Sequence, residues 1–222
     1  DPLAETARAV AENQGLAATA IYSYLATTIR AGRREIPYSL VAAIDPVPDY
    51  FSFSPGENTQ LPPLWLNQWA ATDLRARPGM VVELEYYVWE DGGHLLTETA
   101  QFELRGIISM RGFAIDKDLA PGYPGITDAG TVGDWDPPFP IDLQRVRPKD
   151  EAYWNRYRAA PKAFAPLRAG QDLWRSRYGQ ITGLRFTPPE DTPLLEAMAA
   201  YQKSLQAALR PEQAGFTLYP AR

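Results

Sequence analysis

The chain has 222 residues, with 22 Lys and Arg against 27 Asp and Glu for a net charge of −5, one His and no Cys. That length can bury its own hydrophobic core, and the absence of Cys excludes disulfides, thiolate metal sites and a Cys nucleophile. A single His removes zinc sites built on two or three imidazoles, and the mildly acidic balance gives no support to a broad nucleic-acid surface. Proline is the outlier, at 21 residues against a usual share of about 5%.

In chain order, residues 2–14 read as a helix, with Leu3, Ala7, Val10 and Ala11 at helical spacing and Gly15 as a stop. Two β-rich runs follow, Thr19–Ile29 and Tyr38–Ile44, joined by a charged turn around Gly32. Asp45 to Pro63 holds five prolines, which lack an amide donor, so this stretch is expected to be a loop or a lobe crossing. Asn67 caps a short predicted helix ending before Arg77-Pro78-Gly79. The strongest hairpin pairs the alternating run Val82–Val88 with Ala100–Arg105 across Asp91-Gly92-Gly93. Residues 111–148 read as irregular, with six prolines and six aspartates. Beyond them lie predicted helices at Asp150–Tyr157, Gly170–Arg177 and Pro193–Leu209. Predicted strands fall at Lys162–Leu167, Ile181–Phe186 and Gly215–Tyr219.

No window approaches the ~18–20 consecutive apolar residues that a membrane-spanning helix needs. The opening Asp1-Pro2-Leu3 carries neither an initiator Met nor a signal peptide, and reads as a soluble piece of something longer. The two nucleotide-binding glycine loops and the serine nucleophile elbow are also missing. His94 falls in the hairpin turn region, where a solvated residue is expected rather than a triad base. Asp116-Lys117-Asp118 and Asp134-Trp135-Asp136 offer oxygen ligands for calcium but lack the spacing of a calcium loop, and turn-capping aspartates are the plainer reading. Glu83, Glu85 and Glu103 have the spacing of a glycosidase pair without an assignable cleft. Among the aromatics, Trp135-Asp136-Pro137-Pro138-Phe139-Pro140 forms a stiff ring-rich loop, and Tyr153, Trp154 and Tyr157 cluster on one helix. They serve either as core or as a recognition surface, for which Tyr123, Trp135 and Phe139 are the candidates.

Several long strings carry a family likeness. Leu66–Leu74 followed by Pro78-Gly79 and Val81–Tyr87, then Arg105-Gly106-Ile107-Ile108, resemble an element of FtsX-like, MacB-type ABC transporter permeases. Asp134–Asp142, Lys149–Trp154, Arg158–Phe164 and Trp174–Gly179 are similar to stretches of the large permeases in this group, so the likeness spans roughly residues 20–190. It implies a non-enzymatic extracytoplasmic (periplasmic) domain held between two transmembrane helices, with ATP hydrolysed by a separate cytoplasmic subunit or domain. The implied partners are those permease helices, that ATPase and a periplasmic or cell-wall protein. No nucleic acid, cofactor, metal or catalytic residue is expected.

The expected architecture is α+β and two-lobed, with mixed or antiparallel sheets and short helices. Residues 1–35 with 180–222 are expected to form a terminal αβ lobe into which 36–179 are inserted. The alternative is a secreted peptide- or glycan-binding module using the Trp135–Phe139 loop.

Overall fold

A computed structural model describes residues 2–51, 60–90, 93–174 and 179–210. The elements are α1 (Pro2–Asn13), β1 (Ala17–Ala31), β2 (Arg34–Asp45), β3 (Pro63–Asn67), α2 (Gln68–Leu74), β4 (Val81–Trp89) and β5 (Leu95–Ile108). After them come α3 (Pro148–Tyr157), β6 (Ala163–Pro166), α4 (Leu167–Trp174), β7 (Gly183–Thr187) and α5 (Leu194–Ala208). The fold is mixed α and β, with short helices on a mixed sheet. The chain divides into two compact units, one of residues 21–183 and one of the residues on either side of that span.

In the larger unit the strands follow the order β2-β6-β3-β5-β4-β1, and β1 also pairs with β2, so six strands close into a ring. The β2–β6 and β3–β5 pairs are parallel, whereas β3–β6, β4–β5 and β1–β4 are antiparallel. Closure leaves little alternation to read in the tightest strands. Ile36–Ile44 of β2 and Leu64–Asn67 of β3 are buried residue after residue, as expected of strands covered on both faces. By contrast, β4 buries Val82, Leu84 and Tyr86 and leaves Glu83 and Glu85 partly exposed.

Pro63 is the first residue of β3, a position where its missing donor costs no ladder bond. The predicted crossing loop therefore gives way at its last residue to a strand that the sequence reading did not contain. Helices α2 and α4 both pack on β2. A Cβ on Gly170 of α4 would stand 2.4 Å from the Ala43 Cβ, so that close approach requires glycine. The predicted helix Gly170–Arg177 starts three residues earlier, and residues 175–178 lie outside the described residues.

The stretch read as irregular, 111–148, contains four 3₁₀ turns and packs inward as a cover on β2. Tyr38 and Leu40 of β2 meet Ile126, Val132 and Trp135 of this stretch and Trp154 of α3 in one apolar cluster. The two ends of this unit meet. The Thr182 amide donates to the Ile21 carbonyl at 2.7 Å, and the Ser23 amide donates to the Thr182 hydroxyl at 2.9 Å.

In the terminal unit β7 is hydrogen-bonded to β1, and α1 packs on α5. The Tyr201 hydroxyl donates to the Ala7 carbonyl at 3.2 Å, and the Gln14 amide donates to the Ala200 carbonyl at 3.2 Å. Ala11, Leu16 and Ala197 form its small core, with Phe186 and Tyr201 against them. The predicted strand Gly215–Tyr219 lies outside the described residues.

Candidate functional site: an aromatic cleft between two helices

The site begins at Asn67, where β3 turns into α2. Its side chain is fully buried, and its Oδ1 accepts from the Ala70 amide at 2.8 Å as the helix cap. Its Nδ2 donates to the Tyr153 hydroxyl at 2.9 Å and to the Pro161 carbonyl at 3.1 Å. One amide thus ties β3, α2, α3 and the segment entering β6. The Tyr153 hydroxyl in turn donates to the Ala160 carbonyl at 3.0 Å, and burial raises the pKa of its phenol well above the ordinary value.

Three rings line up from this anchor. Trp69 and Tyr153 have centroids 4.8 Å apart, and Tyr153 and Tyr157 have centroids 5.1 Å apart. The Lys162 ammonium lies 4.9 Å from the Trp69 ring centroid and 4.8 Å from that of Tyr153. A cation between two ring faces is stabilised by their quadrupoles, and all the more where water is excluded. Burial nonetheless pushes the Lys162 amine down to about 8, against the attraction of the Asp150 carboxylate.

An ion-pair network borders the rings. Arg147 grips Asp150 with two side-chain bonds of 2.7 Å and reaches Asp73 at 2.8 Å, and Lys149 also pairs with Asp73. Burial pushes the Asp150 carboxyl up. The Arg147 hydrogen bond and the Lys162 charge outweigh that and hold it below the usual carboxylate range. In front of these groups opens a cleft of about 340 Å³ lined by Gln68, Trp69, Thr72, Asp73, Met110, Lys149 and Tyr157. Flat rings on the floor with an amide, a hydroxyl and charges on the rim can hold an extended apolar segment and bond its polar edges. Behind Lys162, a separate cavity of about 30 Å³, large enough for one water, is lined by Ser39, Trp135, Asp150 and Tyr153 among others.

The proposed recognition residues lie elsewhere. Trp135 is buried, with its ring 5.0 Å from that of Trp154, so its proline loop turns the indole inward instead of presenting it. The Tyr123 hydroxyl donates to the Ser23 carbonyl at 2.8 Å, and burial raises its pKa far above the usual value. Phe139 is half-buried, 6.0 Å from the ring of Tyr87. All three rings belong to, or pack against, the cluster covering β2.

The carboxylates do not converge. Glu83 accepts from Arg30 at 2.7 Å, and Glu85 accepts from Thr27 and Thr28 at 2.8 and 3.1 Å. Glu103 is buried beside Arg105. Asp116 caps the Asp118 amide, and Asp134 accepts from Thr131. Among the described residues no group of three or more acidic or His side chains could hold a metal ion. His94 is exposed beside the hairpin turn.

Tyr153 and Tyr157 stood out in the sequence, but Trp69, Asp73 and Lys162 did not. For Trp69 and Asp73 the signal was the Asn67 cap, which places them four residues apart on one helix face, whereas Lys162 had none.

No protein-family model and no curated protein matches the sequence. Among solved structures, the chain is similar to the periplasmic region of MacB from Actinobacillus actinomycetemcomitans. The TM-score is 0.49 and the identity 10%, over 92% of this chain and 72% of that one.

Proposed function

We propose that this chain is the extracytoplasmic domain of an ABC transporter permease, which binds a substrate or a protein partner and relays ATP-driven motion without catalysing a reaction itself. The reading starts from the sequence likeness to FtsX-like, MacB-type permeases, and one structural observation carries it. The outer helices α1 and α5 pack on each other, and the unit between them has its ends joined at Ile21 and Thr182. A domain inserted between two membrane helices needs such a return of the chain. In this reading the terminal unit takes up the movement of the flanking helices, and the Trp69–Tyr157 cleft is where substrate or partner is held. The same cleft favours the second reading, a secreted peptide- or glycan-binding module.

The two readings part in one experiment. The complete gene product is expressed in its native host and fractionated, and the surface on which residues 1–222 lie is probed with added protease. Recovery in the membrane, with this domain cleaved from outside and co-purification of an ATPase, is expected. Release as a free secreted protein overturns the permease reading. In the reconstituted transporter, Gln14→Cys and Ala200→Cys joined by a short bis-maleimide are expected to lower substrate- or partner-stimulated ATPase activity. These 222 residues contribute no Cys of their own, so with Cys elsewhere in the transporter replaced by Ser the bridge is specific.

A further inference from the structure

Each of the three rings at the Trp69 cleft already carries a cation. The Lys162 ammonium lies 4.9 Å from the Trp69 centroid and 4.8 Å from that of Tyr153, and the Arg156 guanidinium lies 5.2 Å from the centroid of Tyr157. A cationic guest stacked on these rings would meet a like charge, so the attraction that ring faces usually offer to ammonium ligands is already taken up.

The charges beside the rings have the same sign. Asp73 is the carboxylate lining the cleft, and Arg147, at 2.8 Å, and Lys149 both pair with it. Asp150 is held by Arg147 at 2.7 Å and attracted by Lys162. Three cations thus stand against two carboxylates, an excess of one positive charge at pH 7, where the Lys162 amine, with its pKa of about 8, is mostly protonated. Arg34 reinforces it, donating to the Asp73 carbonyl at 3.4 Å.

The rim also offers donors. The Lys149 ammonium has three N–H bonds and gives one to Asp73, and its side chain is half in water beside the cleft it lines. Gln68 gives one amide hydrogen to the Thr72 hydroxyl at 3.2 Å, which leaves its second available. A carboxylate, which only accepts, suits such a rim. At about 340 Å³ the cleft falls at the small end of ligand pockets, and Met110 adds a soft apolar side chain to Trp69 and Tyr157.

We propose that the Trp69 cleft binds aromatic carboxylates, the apolar ring lying against Trp69, Met110 and Tyr157 and the carboxylate accepting from Lys149 and Gln68. The proposal rests on the reading of this cleft as the place where a ligand is held, and names its chemical class. The carboxylate belongs either to a free small acid or to the last residue of a peptide, which share this chemistry.

Three probes with one ring and different charge test it: phenylpropionate, phenylpropionamide and phenylpropylammonium. They are titrated into the 222-residue chain at pH 7 and low salt, and binding is followed by broadening of the ligand lines in proton magnetic resonance. The acid is expected to bind about fivefold tighter than the amide, with the ammonium weakest, and added salt should shrink the preference. Lys149→Gln should remove the preference without weakening the amide, and Lys149→Arg should retain it. Tyr157→Leu should weaken acid and amide together, with circular dichroism confirming that each variant is folded.

An amide that binds as tightly as the acid, with both weakened by Tyr157→Leu, leaves the cleft as the site and overturns the anion. A preference untouched by Lys149→Gln overturns the proposal, as does tighter binding of the ammonium or binding indifferent to Tyr157→Leu. Failure of every probe to bind overturns it as well. The reading of the cleft falls with it only if Tyr157→Leu also leaves the substrate- or partner-stimulated ATPase of the reconstituted transporter unchanged. A tripeptide ending in phenylalanine separates the two sources. With its carboxylate free it binds tighter than phenylpropionate where the ligand is a chain end, and more weakly where the ligand is a free acid.

Discussion

Lys162 lies under two aromatic rings, attracted most by the Asp150 carboxylate and less by Asp73, and its ammonium is held in the folded protein at a cost. Its pKa falls from 10.5 to about 8, so between those values the unfolded chain binds a proton that the folded chain does not. Stability contributed by this residue therefore rises with pH through that window. Lys162→Met keeps the length and apolar contact of the side chain and removes the charge. At pH 7 the variant is expected to be more stable by about 1–3 kcal/mol, with the difference shrinking as pH climbs from about 8 toward 10.5. Urea midpoints of both proteins across that range check the sign. A difference that grows with pH would refute it.

Asn67 works in the opposite direction, since its amide bonds three buried groups at once, the Ala70 amide, the Tyr153 hydroxyl and the Pro161 carbonyl. Asn67→Ala is expected to cost about 3 kcal/mol, combining a lost helix cap with unpaired groups in a dry site. Asn67→Asp keeps the cap acceptor and loses the donor to the Pro161 carbonyl, so it should also be destabilised.

Among the elements, α3 joins the ring ladder to the ion pairs. Arg147→Met leaves the buried Asp150 with the backbone amide of residue 147 and the charge of Lys162, and removing one member of a buried pair typically costs about 3–5 kcal/mol, toward the low end for a partly solvated arginine such as this. Asp150 has its pKa depressed in the folded protein, so its contribution is present above the ordinary carboxylate range and lost as pH falls through the lowered value. In Arg147→Met that loss should begin at a higher pH, visible as an acid-unfolding midpoint shifted upward by circular dichroism.

How far these elements could be read in advance depended on how local their causes are. The β4–β5 hairpin was legible because one face stays wet and the residues alternate, and α2 was legible because Asn67 signals a cap within three residues. The β3 strand was not: Pro62 and Pro63 mask its start, and burial on both faces removes any period. The orientation of Trp135 depends on Trp154 and Tyr38, which are remote in sequence, so the sequence left the aromatic proline loop open between core and recognition surface, and Trp135 packs inward against Trp154. Lys162 was invisible for a similar reason. Nothing near Ala160-Pro161-Lys162 announces that Trp69, far earlier in the chain, will cover its charge.

At the scale of the whole molecule, the ring of β1 to β6 closes unevenly: β5 pairs with β4 from Leu95 to Glu103 but with β3 only from Glu103 to Ile108, so Leu95–Phe102 have a strand beside them on one side alone among the described residues. The excess of proline bears on the same scale, because Pro46, Pro48, Pro62 and Pro63 and the six prolines in 111–148 fix backbone angles in segments that join or cover strands of the larger unit.

The Thr182–Ile21 clasp determines what happens when the chain is pulled by its outer helices. Tension arriving along β1 and β7 reaches residues 21 and 182 together, where three residues are tied by hydrogen bonds of 2.7 and 2.9 Å. While the clasp is shut, load passes straight across it from one strand to the other, and the ring beyond carries almost none. The clasp acts as a mechanical fuse. Stretched in optical tweezers, the chain is expected to yield in two steps, α5 and α1 peeling first and the ring only after the clasp has opened. Thr182→Val, which keeps the shape and deletes the hydroxyl that holds the Ser23 amide, should bring the second step to lower force and leave the first unchanged.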